Sequence, residues 1–200
     1  MPQYLTVNLQ GGLGNQLFQL AAAYAVAKQL GLKFCLVRNQ FDGQGQGRPP
    51  SNYYVSLYRH FDFVDTLGPS KHVQQVGWAP YALADVVAGV LRESPDVSIT
   101  LGGYFQSEGF FHDVSATIKA LFYPPKPAVL RFPELEHPHN HVFIGIRRGD
   151  YLKSPHVHWP CGMTYYTEAI RRMKTSGCGR FYIASDDMDW VRTHFQGDDY

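Results

Sequence analysis

Gly145-Ile-Arg-Arg-Gly-Asp-Tyr151 follows the apolar run His141-Val-Phe-Ile144 and precedes a loop carrying Pro155 and Pro160. The run reads as a buried strand that delivers two arginines to its carboxyl end. Open α/β sheets bind ligands in the crevice outside the carboxyl ends of their strands. A guanidinium is a planar, permanently charged fork that matches phosphate oxygens two at a time, and a glycine such as Gly149 lets backbone approach a ligand closely. In an extended chain Arg147 and Arg148 point to opposite sides, so only one of them holds a phosphate. A structural ion pair between Arg147 and Asp150, closing a tight turn, stands beside that reading. An adhesion role for Arg148-Gly149-Asp150 would need a protruding loop, whereas the tripeptide here abuts an apolar strand.

Working outward, 200 residues with 44% apolar and 14% aromatic content can build a substantial core in one large or two small domains. The formal net charge of +1 supplies no whole-molecule field for nucleic acid or anionic membrane, so any anion site is local. Cys35, Cys161 and Cys178 form an odd set without metal or redox spacing, which fits a reducing compartment. No leader and no apolar span of membrane length is read at the amino terminus, so a cytoplasmic location is expected, with peripheral membrane association left open.

Tyr4 to Leu9 alternates like a strand, and GGLGNQLFQ follows from Gly11 to Gln19. Leu17, Leu20, Ala21 and Tyr24 then recur at helical spacing, Gly31 stands where a C′ glycine ends a helix, and Phe34 to Val37 is the next strand. The βαβ opening places glycines and backbone N–H groups at a strand-to-helix turn. Gly12 and Gly14 fit a dinucleotide fingerprint, but Leu17 replaces its third glycine, and Val37 and Arg38 stand where a ribose-binding acid belongs. Asn15 has a second reading as the helix N-cap.

Phe41 to Asn52 reads as a flexible loop, and the aromatic segment Tyr53, Tyr54, Tyr58, Phe61 and Phe63 suits either sugar stacking or core. Val97 to Phe105 reads as a strand entering GGYFQSE, with a helix over Phe110 to Phe122. Pro124, Pro125, Pro127, Pro133 and Pro138 mark a linker over 123–139, dividing a first domain, 1–122, from a second, 140–200. In the second, a helix is expected over Thr164 to Lys174 and a strand over Arg180 to Ala184, with Ser185 capping a further helix beside Asp186 and Asp187. The histidines at 137, 139, 141, 156 and 158, with Cys161, match no zinc motif, and no metal is expected.

Three separated stretches, GGLGNQLFQ, GYFQSE at Gly103 to Glu108, and RRGDY at Arg147 to Tyr151 followed by SDD at Ser185 to Asp187, resemble in order and spacing the α-1,2-fucosyltransferases. The resemblance implies an α/β, GT-B-like pair of Rossmann-type domains. It further implies inverting, metal-independent transfer of fucose from GDP-β-L-fucose to the 2-OH of a galactose-containing glycan, with no cofactor and no nucleic acid partner. Arg147 would hold the β-phosphate, with Arg148 near the donor or bracing the loop and Asp150 among the donor-binding residues. Ser185, Asp186 and Asp187 would belong to the donor side, either aspartate accepting the two donors on the edge of guanine. Gly12, Gly14, Asn15 and Gln16 would line the substrate cleft. Where the family usually has histidine two residues before the first arginine, this chain has Gly145. The second domain is expected to be incomplete and the 200-residue chain, expressed alone, to associate and to show little activity; a non-catalytic sugar- or nucleotide-binding remnant is the alternative.

Overall fold

The computed structural model describes residues 3–38, 48–77, 82–123, 140–153, 155–156 and 158–200. The Pro-rich stretch from Pro124 onward, with His137 and His139, and most of the Phe41–Asn52 loop lie outside the described residues. The chain divides into two compact units, Met1–Pro125 and Lys126–Tyr200.

The first unit opens with β1 (Tyr4–Val7), α1 (Leu13–Leu30) and β2 (Lys33–Val37). Gly31 ends α1 in the left-handed conformation at φ 66°, and Leu32 N–H closes the turn on the Ala27 carbonyl at 2.9 Å. Three further strands follow, β3 (Asp62–Val64), β4 (Ser70–Gln74) and β5 (Ser98–Gly102), with α2 (Leu83–Glu93) between β4 and β5 and α3 (Ser115–Phe122) after β5. All five strands are parallel, in the order β3-β2-β1-β5-β4.

Burial follows position in that order. Every residue of the inner strand β5 is buried, as parallel strands covered on both faces require, whereas Val73 alone is buried in the edge strand β4. The core gathers Leu5, Val7, Ile99 and Leu101 from the sheet with Leu20, Ala22, Ala23 and Val26 from α1. The small side chains of Ala21 to Ala23 let the helix lie close against the strands. Tyr58 and Phe61 are buried in this core and Tyr53, Tyr54 and Phe63 pack against it, so the aromatic segment is structural rather than a sugar platform.

The second unit is a β-α-β-α arrangement of β6 (His141–Ile146), α4 (Met163–Thr175), β7 (Arg180–Ser185) and α5 (Met188–His194). β6 and β7 pair in parallel from His141↔Arg180 to Ile146↔Ser185. Ile146, Phe181, Tyr166, Ile170, Val191 and Phe195 form its core, a cluster much smaller than that of the first unit.

Candidate functional site

In the first unit the strand order reverses between β1 and β5: from β1 the chain runs outward through β2 and β3, then returns from the opposite edge through β4 to β5. The loops leaving the carboxyl ends of β1 and β5 are therefore neighbours at a topological switch point, where open α/β sheets bind ligands. GGLGNQ spans the end of the first loop and the opening turn of α1, and GGYFQSE runs through the second.

Two buried carboxamides hold the first loop. Gln19 accepts from Gln10 N–H at 2.9 Å and donates to the Gln10 carbonyl at 3.2 Å, a side-chain imitation of a β-bridge. Gln16, only 1% exposed, donates to the carbonyls of Gly11 at 2.9 Å and Arg48 at 3.0 Å and accepts from the Tyr58 hydroxyl at 2.7 Å. Both its N–H groups are consumed, so Gln16 shapes the loop from below rather than lining a surface. Gly11 has φ 75°, and a Cβ there would meet the Asn15 amide at 2.5 Å. Gly12 and Gly14 face open space.

Asn15 is not the cap. α1 starts three residues earlier than its side chain could serve, with Gly12 as N-cap and no side-chain capping bond. Its carbonyl instead accepts from Gln106 Nε2 at 2.7 Å, tying the two motifs together across 91 positions of sequence.

The loop after β5 is built under strain. Gly103 has φ 143°, and a Cβ there would collide with the Gln75 side chain. Phe105, a non-glycine residue, has φ 49°, which costs about 1–2 kcal/mol. Its ring is fully buried, a burial worth about 1.5–3 kcal/mol, and its N–H donates to Gln75 Oε1 at 2.8 Å. Core burial thus offsets the strained turn that sends Gln106 back toward Asn15.

In the second unit the two arginines part company as extended geometry requires. Arg148 turns inward, 19% exposed, with its Nε on Asp187 at 3.0 Å and its guanidinium 4.1 Å from the centre of the Trp190 ring. Arg147 stays 53% exposed, with Nη2 on Asp150 Oδ2 at 3.0 Å, Nε 3.8 Å from Asp186 and the guanidinium 5.2 Å from the Tyr151 ring. The hydrogen bond to Asp150 raises the Arg147 pKa further above its usual value. These bonds use its Nε and Nη2 edge.

Asp186 carries the turn. Its Oδ1 accepts from Arg148 N–H at 2.8 Å and Gly149 N–H at 3.1 Å. Burial pulls its pKa up, but those two N–H groups and the Arg147 charge outweigh it and leave the carboxyl below its usual value. A Cβ on Gly149 would stand 3.0 Å from Asp186 Oδ2, so what approaches this glycine is the protein's own carboxylate. The helix cap falls on Asp187, which accepts from Trp190 N–H at 3.1 Å, and not on Ser185. Ser185 is still the last residue of β7, and its hydroxyl accepts from the Asp187 N–H at 2.9 Å.

Among the described residues no three His, Cys, Asp or Glu side chains gather as metal ligands, and no helix is long and apolar enough to cross a membrane. Gln106 is the site residue that reasoning from the residues passed over; its motif was visible, but nothing local marks a glutamine 91 positions from its partner.

The chain is 27% identical over 199 residues to galactoside 2-alpha-L-fucosyltransferase SEC1 of Bos taurus, covering 94% of this chain and 50% of that protein. It is 24% identical over 217 residues to an alpha-1,2-colitosyltransferase of Escherichia coli, covering 95% of this chain and 71% of that one. The crystal structure of NodZ alpha-1,6-fucosyltransferase soaked with GDP-fucose aligns over 98% of this chain and 76% of NodZ, at 14% identity and a TM-score of 0.39. The chain spans about half the length of the mammalian relatives it matches. The pattern of glycosyl transferase family 11 matches residues 95–199, more than half of the sequence and all of the arginine loop, and the chain belongs to that family.

Proposed function

We propose that this chain acts in a GT-B-type, inverting fucosyltransferase that moves L-fucose from GDP-β-L-fucose to the 2-OH of a galactoside without a metal ion. The observation that carries the reading is Arg147, an exposed guanidinium on a carboxylate-braced turn at the carboxyl end of β6. The named relatives support the transferase class, and two of them differ in the sugar moved, so fucose itself rests on the resemblance of the three motifs to the α-1,2-fucosyltransferases.

In the reaction the bond from the sugar C1 to the β-phosphate oxygen breaks as the acceptor oxygen attacks from the opposite face. The hydroxyl proton leaves with a base, and GDP takes the bonding electrons. Negative charge gathers on the departing diphosphate, so a guanidinium placed beforehand binds the transition state more tightly than the ground state. Arg148 is engaged by Asp187, which leaves Arg147 for the phosphate, oriented by Asp150 through Nε and Nη2 and with Nη1 outside those bonds. Asp186 Oδ2 lies 3.8 Å from Arg147 Nε and keeps lone pairs for a donor edge such as that of guanine. Gly12, Gly14 and Asn15 belong to the acceptor side.

The test is release of GDP from GDP-fucose in the presence of lactose, measured with the full protein with and without EDTA. Acceptor-dependent release that EDTA leaves unchanged is expected. Binding of GDP-fucose without release would favour a non-catalytic role, and loss in EDTA with recovery in Mn²⁺ would overturn the arginine-only account.

A further inference from the structure

The crevice between the loops after β1 and β5 has a chemistry of its own. From Leu9 to Leu17 and from Gly102 to Ser107 there is no acidic or basic side chain. Those two stretches themselves offer a diphosphate no counter-charge, with Glu108 following the second and the backbone of Arg48 lying against Gln16. What the loops present instead is a pair of carboxamides, Gln106 donating to Asn15 at 2.7 Å, with Gln106 exposed. In that bond Asn15 keeps its amide N–H groups, and Gln106 keeps its carbonyl and one N–H. Donors and acceptors side by side without charge complement hydroxyl groups, which both give and take hydrogen bonds. Two residues before Gln106, the Tyr104 ring is 44% exposed, although the residues on either side of it are buried. An exposed aromatic ring in the same loop suits the C–H face of a pyranose ring.

We propose that the Asn15–Gln106 carboxamide pair, with Tyr104, is a recognition site for an uncharged pyranoside, and that Gln106 is a specificity-determining residue of the acceptor side. This rests on the transferase reading for the word acceptor, while the sugar-binding claim stands on the loops alone. The strained turn explains how the pair is kept ready. Phe105 is locked into the core in the left-handed region, and Ser107 N–H closes back on its carbonyl at 2.7 Å, so Gln106 sits at the tip of a fixed turn rather than on a mobile loop. A glutamine so held loses little further freedom when it binds.

The experiment uses the full protein and two readouts. In kinetics, Gln106→Ala is expected to raise KM for methyl β-galactoside at least tenfold while KM for GDP-fucose and the melting temperature stay within error. Asn15→Ala supplies the same comparison from the other partner if Gln106→Ala lowers the melting temperature. In saturation-transfer NMR without any nucleotide, wild type is expected to bind at least one of the methyl glycosides of galactose, glucose, mannose and fucose, and Gln106→Ala to lose it. Binding of none of the four overturns the proposal whatever the transferase activity, as does an effect of Gln106→Ala on GDP-fucose alone. A glycoside signal lost in Gln106→Ala, in a protein that never releases GDP from GDP-fucose, keeps the proposal and sinks the fucosyl-transfer reading.

Discussion

The turns after β5 and β6 both sit at the carboxyl end of a parallel strand, yet they are held by opposite means. β5 lies between two neighbours with all five residues buried, and its turn is fixed by a buried phenylalanine and the neutral amide of Gln75. β6 has one partner, β7, among the described residues, and its turn is fixed by Asp150, Asp186 and Asp187 on two arginines and two backbone N–H groups. Where a sheet supplies enough core, geometry can be bought with burial; where it does not, charge has to serve. In the proposed function the same difference sorts ligands, the neutral turn facing hydroxyls and the charged one phosphate.

The largest expected effect separates charge from scaffold at β6. Arg147→Ala should lower kcat/KM by about 100- to 1000-fold, the scale of losing one preorganised donor at a developing anion. The melting temperature should hardly move, because an ion pair this exposed contributes about 0–1 kcal/mol. A large fall in melting temperature with a matching loss of activity would assign Arg147 to structure and erase the contrast with β5.

At β5 the order of effects should invert. Gly103→Ala introduces a side chain at φ 143° against the Gln75 side chain, and strain plus overpacking should cost about 2 kcal/mol or more of stability. Denaturant midpoints at unchanged m-value would show it. A variant as stable as wild type would mean that the turn is not fixed by the core.

Legibility in the sequence followed the same divide. α1, β2 and the two strands of the second unit stand out because apolar spacing and Gly31 are local signals. β4 has no such signal: Ser70-Lys-His-Val-Gln is polar because an edge strand buries one residue. α2 is amphipathic, with Leu83, Ala84 and Val87 buried, but Gly89 and the short neighbouring segments blur its start and end. Phe110 to Phe122 reads as one helix, whereas two 3₁₀ turns, Glu108–Phe110 and His112–Val114, precede α3. At the site, residue types pointed to Arg147 and to the glycine loop. The inward turn of Gln16, the cap at Asp187 and the Asn15–Gln106 bond depend on partners between 3 and 91 positions away, which composition and period do not reveal.

A smaller effect tests whether the open glycines serve a ligand. Gly12 sits at an ordinary N-cap conformation and Gly14 on the first turn of α1, each with nothing near a would-be Cβ. Gly14→Ala should therefore raise stability slightly, by up to about 1 kcal/mol. Lower acceptor affinity in that more stable variant would place a ligand against the glycine. Unchanged kinetics would leave Gly14 without a part in the neutral crevice.

The smallest effect compares the two loops by pH. The Asp186 pKa is depressed in the folded state, so its contribution is fully present above the unfolded value of about 3.9 and is lost as pH falls through the lower, folded value. With this carboxylate 40% exposed, global stability should register little of that loss. The two N–H groups it holds, on Arg148 and Gly149, should register it directly: their hydrogen-exchange protection should decline as pH drops below about 4. The N–H of Gln10, held by the neutral amide of Gln19, should keep its protection over the same range. Asp186→Asn retains an acceptor oxygen without a titrating proton, so its Arg148 and Gly149 amides should be protected less strongly but independently of pH. Equal acid sensitivity at Gln10 and at Arg148 would mean that the two turns open together with the fold. Protection at Arg148 that ignores pH would mean that the carboxylate charge does not hold the turn.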